Sequence, residues 1–396
     1  MKCLLLLAFC LINFNFAGSN PAIQSPVWIT VSDEAASALE KAFPQGLERT
    51  DSKLGLTLFT LESDFTGEIA AFFDRNSSLG KFMYHETLPE AKSHLLRFPI
   101  MTMRSRRLMP EMFIDKADTV QSLLPLLQEK EITDTIIRLS DFHTRYYNTK
   151  TGIEASEWLF NKWQQMSAAS DSFSVSFFRH ANTQPSVILT IKGSRIPQEH
   201  IVFGGHLDST AGYGGGNRRA PGADDNASGV AIMTEMIRVL ANSSYQPEKS
   251  VKFIAFAAEE VGLRGSKAIA RDFREKSIEV NAMINLDMAN YKGSPDVSFV
   301  FVNDFVNPAL TDFLQQLNDT YLKLPWAVEK CGYACSDHAS WHTQGYASAY
   351  PFECYEKDMS KTYHTDKDTI DISGGHSEHA LNFARLGMAA LVELAK

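Results

Sequence analysis

Two histidines and three carboxylates, His206, Asp225, Glu260, Asp287 and His364, lie in separate short stretches, each beside an apolar or tight-turn sequence. Imidazole nitrogens and carboxylate oxygens in that proportion suit a pair of zinc ions better than any single metal. Two such ions close together can activate a water molecule while a neighbouring carboxylate manages its proton. Glu259, directly before Glu260, is available for that work. Asp208 follows His206 by two positions, close enough to take the second ring N–H of the imidazole and fix which nitrogen faces a metal.

Taken singly, the members of this set have ordinary alternatives. Asp225 lies in Pro221-Gly222-Ala223-Asp224-Asp225-Asn226-Ala227-Ser228-Gly229, a turn of small and polar residues opening a helix, where an aspartate commonly serves as a cap. Glu259 and Glu260 could be a surface pair at a helix start, and His364 sits in a polar stretch, Thr362-Tyr363-His364-Thr365-Asp366. Adjacent residues after a strand point to different sides, so one glutamate is expected to ligate and the other to remain free.

The elements that must position this set follow a regular plan. Strand-like apolar runs cover 174–178, 186–191, 201–205, 251–257, 282–287 and 297–302, with helical spacing at 133–147, 153–166, 227–241, 266–274, 308–321 and 377–394. Alternation of the two, with strands apolar nearly throughout, predicts an α/β domain: a mainly parallel central sheet with helices on both faces. Working groups in such a sheet gather at the C-terminal ends of its strands. His206, the Glu259-Glu260 pair and Asp287 each stand at the end of an apolar run.

The segment before this domain differs. Lys2 precedes the apolar run 4–12, which is too short for a membrane span and right for a signal-peptide core, with Ala17 and Ser19 as cleavage positions. Residues 1–19 are therefore read as a signal peptide and the mature chain as exported and soluble. Residues 20–108 mix strand-like runs (27–31, 56–61) with a helical stretch near 34–43, and end in the basic cluster Arg104, Arg106 and Arg107. This is the pattern of a small α+β pro-segment cut by a processing protease, an accessory binding domain being the competing view; the catalytic domain then covers 109–396. Cys3 and Cys10 fall in the signal, and in an oxidising compartment Cys331 and Cys335 are read as a disulfide and Cys354 as a buried thiol. Two unpaired thiols are the alternative for the pair. A formal charge of −9 without blocks of Lys or Arg argues against nucleic acid and anionic membranes as partners.

Two further features are set aside. His338-Ala339-Ser340-Trp341-His342 has the histidine spacing of a helical zinc site, but Ala339 stands where the catalytic glutamate would be, which favours packing. The glycines at 212 and 214–216 lack the Lys and Ser/Thr of a phosphate loop and read as a loop near the site.

Several stretches in colinear order from Thr133 to the C-terminus resemble the secreted bacterial leucyl aminopeptidases, a family of dizinc exopeptidases. They are Gly204-Gly205-His206-Leu207-Asp208-Ser209, the run Pro221 to Gly229 quoted above, Ala257-Ala258-Glu259-Glu260-Val261-Gly262, Leu286-Asp287-Met288, Cys331-Gly332-Tyr333-Ala334-Cys335 and Tyr363-His364-Thr365. The resemblance implies two Zn2+ ions, with Asp225 bridging, Glu260 and His364 completing one site, and His206 and Asp287 the other. It implies Glu259 as general base, a Cys331–Cys335 disulfide beside the substrate pocket, and an inhibitory, chaperone-like pro-segment. Met288, Tyr333, Phe352 and Tyr363 are the expected pocket residues, with Tyr355 nearby. Peptides with a free N-terminus are the expected substrates of a monomeric enzyme. An apolar first residue such as Leu is favoured, while Glu356 and Asp358 leave Lys or Arg open because a carboxylate at the pocket mouth attracts a cation. Two other classes share the fold: a glutaminyl-cyclase-like acyltransferase with one zinc, and a non-catalytic binding ectodomain, in which losses among these residues are expected.

Overall fold

The computed structural model describes residues 26–396 apart from 63–64, 77–78, 105–110, 169, 181–183 and 213–214. The expected signal peptide, Cys3 and Cys10, and the basic residues Arg106 and Arg107 lie outside the described residues. The first unit runs β1 (Pro26–Ser32), α1 (Asp33–Ala42), β2 (Glu48–Lys53), β3 (Leu56–Glu62), α2 (Thr66–Arg75), β4 (Met83–His85) and α3 (Leu88–Arg104). Its strands form an antiparallel sheet in the order β2-β3-β1-β4. Ser32 starts α1 by accepting a hydrogen bond from the Ala35 amide, and Asp33 and Glu34 sit in the first turn, where the helix dipole favours negative charge.

The second unit begins with α4 (Ala117–Leu123), α5 (Glu129–Ser140) and α6 (Lys150–Ser167). It continues through β5 (Phe173–Phe178), β6 (Ser186–Ile191), β7 (Ile196–His206), α7 (Gly229–Ala241), β8 (Lys249–Phe256), α8 (Arg264–Glu275) and β9 (Glu279–Asn285). It closes with β10 (Phe299–Val302), α9 (Pro308–Leu317), β11 (Trp326–Glu329), α10 (His338–Thr343), β12 (Ser348–Phe352) and α11 (Glu378–Leu394). Eight strands form one sheet in the order β11-β10-β12-β9-β7-β8-β6-β5, parallel through its centre, with antiparallel pairs toward both edges.

Period-two alternation assigns each side chain to a layer. Ile201 and Phe203 of β7 join the core beneath α7 and α11, while Val202 joins the opposite core of α8 and α10; Phe253 and Ile254 of β8 divide in the same way. Both faces are thus apolar, as the unbroken hydrophobic runs predicted. Two expected helices are shorter than their spacing suggested. The 133–147 run is helical only to Ser140, because Arg145 is drawn inward to donate to the carbonyls of Leu139, Leu207, Pro221 and Gly222. The 308–321 run leaves the α-helix at Leu317 and finishes in a wider turn ending at Lys323, whose φ is +56°.

The two units share a core. Ile29, Leu39, Phe59, Phe72 and Phe82 of the first pack in one cluster with Tyr146, Ala257, Ala258 and Val261 of the second. That cluster reaches the segment following β8 on which Glu259 and Glu260 stand.

Candidate metal centre

Three neighbouring parallel strands, β9-β7-β8, release their chains at one edge of the sheet, and the acidic and imidazole side chains gather there. His206 is the last residue of β7, Glu259 and Glu260 follow β8, and Asp287 follows β9. Gly205 permits this convergence, since a Cβ at that position would lie 2.2 Å from the Leu286 carbonyl oxygen. Asp225 reaches the same place from the turn before α7, and His364 from the segment between β12 and α11. Asp225 is not a helix cap: Asn226 accepts from the Gly229 amide at 2.9 Å instead.

Asp225 faces both ways. Its Oδ1 lies 3.0 Å from His206 Nε2, which is also 3.2 Å from Asp287 Oδ1. Its Oδ2 lies 2.9 Å from His364 Nε2, which is 3.0 Å from Glu260 Oε2. The result is two groups, His206-Asp225-Asp287 and Asp225-Glu260-His364, that share one carboxylate, with a third set, His206-Glu259-Glu260, overlapping both; all are buried. Four donors at about 2.0 Å around a tetrahedral ion stand about 3.3 Å apart, so the observed donor separations fit zinc. The chemistry of the donors agrees: nitrogen and oxygen only, with Glu260 Oε1 buried and without a hydrogen-bond partner among the described residues.

Backbone and neighbouring groups hold these side chains in place. Asp208 directs its carbonyl oxygen at His206 Nδ1 from 3.1 Å, with its carboxylate at 3.6 Å. The same carboxylate accepts the amides of Glu259 and Glu260 at 3.0 and 3.2 Å, a second duty that the sequence did not suggest. Ser336 donates to Asp287 Oδ2 at 2.6 Å, and Asp368 accepts the amides of Asp224 and Asp225. Ala258, Met288 and His364 hold φ near +50°, a left-handed conformation that costs a non-glycine residue about 1–2 kcal/mol. These three flank or belong to the set, so local backbone strain is concentrated where the side chains must converge.

Burial shapes the electrostatics. It opposes the charge of Asp225, but hydrogen bonds from His206 and His364 outweigh it and hold that carboxyl well below the usual range. For Glu259, burial dominates and lifts the carboxyl well above its ordinary value, with Lys81 and His206 opposing. Neither Glu259 oxygen has a hydrogen-bond partner among the described residues. Glu259 thus stands beside the two groups with no hydrogen bond to fix its protons and with the Lys81 ammonium 3.7 Å from Oε1, the environment of a proton carrier.

A cavity opens from Asp225 and Asp287 and is lined by Met288, Tyr333, Phe352 and Tyr363 together with Val300, Val302 and Tyr350. Cys331 and Cys335 form a disulfide on its wall, while Cys354 is a buried free thiol. Tyr355 packs in the same apolar cluster without lining the cavity. Asp358 is turned away to accept from Ser294 at 2.6 Å, so it does not supply the acid expected at the mouth. Glu356 does line the cavity, joined by Glu329, whose Oε2 accepts the Glu356 amide at 2.8 Å. Nothing local to its edge strand marks Glu329 in the sequence. Lys81, from the first unit, also lines the cavity. His338 and His342 are buried on α10 outside both donor groups, the rings packing against Tyr350 and Phe305.

Comparison with known proteins places this geometry in a family. Residues 186–386 match the model of peptidase family M28. Leucine aminopeptidase 1 of Coccidioides posadasii is 35% identical over 286 residues, covering 69% of this chain and 73% of the relative. The crystal structure of the Legionella pneumophila LapA aminopeptidase superposes with a TM-score of 0.80 at 26% identity, covering 94% of this chain and 99% of that one. A glutaminyl cyclase of Bacteroides thetaiotaomicron, at 16% identity and a TM-score of 0.54 over 69% of this chain and 99% of its own, shares the fold alone. The relatives are thus fungal as well as bacterial, wider than the bacterial grouping the motifs suggested. With more than half of its length matched, the chain belongs to peptidase family M28, as a metallo-aminopeptidase.

Proposed function

We propose that this chain is an exported aminopeptidase that holds two zinc ions and removes the N-terminal residue of peptides, an apolar residue such as Leu being favoured. Asp225 carries the reading, because one carboxylate oxygen faces His206 and the other faces His364. His206, Asp287 and Asp225 would hold one ion, and Glu260, His364 and Asp225 the other. Bound there, zinc supplies an activated water and polarises the scissile carbonyl. Glu259 takes a proton from the attacking water and passes it to the departing amine. Asp208, by holding both glutamate amides, keeps that base apart from its ligating neighbour. The cavity walls formed by Met288, Tyr333, Phe352 and Tyr363 receive the first side chain, and the carboxylates around them attract the free α-ammonium. The name of the Coccidioides relative supports Leu as a first residue.

Residues 1–19 serve as the export signal and 20–108 as a pro-segment that assists folding and silences the site until cleavage near Arg104; the released enzyme is a monomer. The shared core around Ala257, Ala258 and Val261 supports this assignment, since it ties the first unit to the segment bearing the glutamates.

The test is release of free amino acids from aminoacyl anilides by the processed protein, with and without a chelator. Glu259→Gln should lower kcat at least a thousandfold, in line with loss of a proton carrier and its charge, with metal content unchanged at two per chain. Substantial turnover in that variant would remove Glu259 from the mechanism. One zinc per chain together with cyclisation of N-terminal Gln would instead make the chain an acyltransferase.

A further inference from the structure

We propose that Lys81 is the residue by which the first unit silences the site: its ammonium pairs with Glu259 and takes the position that the free α-ammonium of a substrate would use. The inference rests on the aminopeptidase reading above and names the regulation of the same site.

Lys81 lies between α2 and β4, outside the catalytic unit, yet its Nζ is 3.7 Å from Glu259 Oε1. The Glu259 side chain is completely buried, while Lys81 keeps 28% of its own side-chain surface exposed. Lys81 lines the substrate cavity beside Asp225 and Asp287, and also the adjoining hollow beside Glu259 and Glu260. It therefore stands between the proton carrier and the space for the substrate's first residue.

The residues around Lys81 aim it. Gly80 has φ +78°, and a Cβ there would lie 3.1 Å from the ring of Tyr333, so the chain passes directly against a wall of the cavity. Glycine supplies both the left-handed turn and the clearance. On the other side Phe82 is sunk in the shared core with Ala258 and Val261, and Met83 packs with Leu263 and Phe305. A short stretch fixed at both ends presents one flexible stem into the site. A lysine suits this position because its apolar methylenes can cross the cavity while a compact charge reaches the acids.

Lys81 acts on catalysis by occupancy: its ammonium fills the space beside Glu259 and competes with the substrate's own cation for the same carboxylates. That competition ends when the first unit is removed, which makes release of Lys81 the activating event.

The full chain, shown intact by mass, would be assayed with leucyl anilide and titrated calorimetrically with free L-leucine. Lys81→Met should raise activity of the uncut chain at least tenfold over uncut wild type and tighten leucine binding, whereas Lys81→Arg should remain silent. After limited trypsin treatment all three should reach the same activity, which shows that the variants fold. Lys81→Gln is the second neutral variant if Lys81→Met does not yield folded protein. A neutral variant that stays as silent and binds leucine as weakly as uncut wild type, while its processed form is active, overturns the proposal. So does an uncut Lys81→Arg chain as active as Lys81→Met. If processed wild type releases no amino acid, the aminopeptidase reading is what fails, and leucine binding to the uncut chains still decides the role of Lys81.

Discussion

Glu329 and Glu356 line the cavity whose other residues include Met288, Val300, Val302 and Phe352. An aliphatic stem can lie along the apolar walls while a cationic tip meets the carboxylates. Lys330 also lines the cavity, beside Asp304, whose carboxylate accepts the amides of Cys331 and Gly332. Burial, then Glu329 and Asp304, raise the Glu356 carboxyl above its ordinary value, so a cation brought beside it relieves like-charge repulsion. The processed enzyme should therefore release Lys and Arg as well as Leu. Because Glu356 is exposed, its share is about 0.5–1 kcal/mol, about a twofold to fivefold loss of kcat/KM for lysyl anilide in Glu356→Gln. Leucyl anilide should change less than twofold; equal losses for both substrates would show that the residue acts on the fold of the cavity instead. The acids that gather at the site were legible in the chain because each follows a strand or a glycine-rich turn. Asp208's hold on two amides, and the arrival of Lys81 from another unit, were not, since neither is expressed in local spacing.

The central strands and the long helices could be read from hydrophobic period because both sheet faces are covered. β11 and β12 are absent from the strand-like runs read in the sequence: the first is a short, partly exposed edge strand, and the second is a short, fully buried stretch with no polar alternation to mark it. β2 is exposed throughout and polar, so its pairing with β3 depends on the turn at Leu54 and Gly55 rather than on burial. Where β4 meets α8, polar residues replace apolar ones. His85 and His94 both contact Thr30, and His85 faces Glu90 and Lys267, with Arg271 and Glu86 paired alongside. Burial first, then Lys267, lowers the His85 imidazole to about 4 despite Glu90. The unfolded or undocked histidine binds a proton near pH 6.5, while the docked one stays neutral to about pH 4. Stability from this residue is thus complete above pH 6.5 and is lost as pH falls toward 4. At about 1.4 kcal/mol per unit, the loss is about 3 kcal/mol. Calorimetry of the full chain should show the transition of the first unit moving to lower temperature across that window, with a shallower slope in His85→Gln. An unchanged slope in the variant would place the pH response elsewhere.

At the scale of the molecule, the site is a buried acidic hollow between a sheet edge of the second unit and the first unit, which supplies a cation, Lys81. Asp225, Glu259, Glu260 and Asp287 are all buried, and behind them Asp224 and Asp368 are buried too. Uncompensated carboxylates at such distances are costly, so the fold requires positive charge in the hollow. Zinc bound to the folded state provides it and stabilises that state by mass action, about 4 kcal/mol at a thousandfold excess over Kd. For a chain of this size, chelation should lower the Tm of the processed enzyme by on the order of 10 °C. The intact chain retains Lys81 beside Glu259, so part of the compensation survives there when the metal is withdrawn. Its Tm should fall less, and Lys81→Met in the intact chain should restore the larger drop. Equal shifts in processed enzyme, intact wild type and intact variant would mean that Lys81 does not share the charge balance of the site, and that the two units are coupled through their apolar core alone.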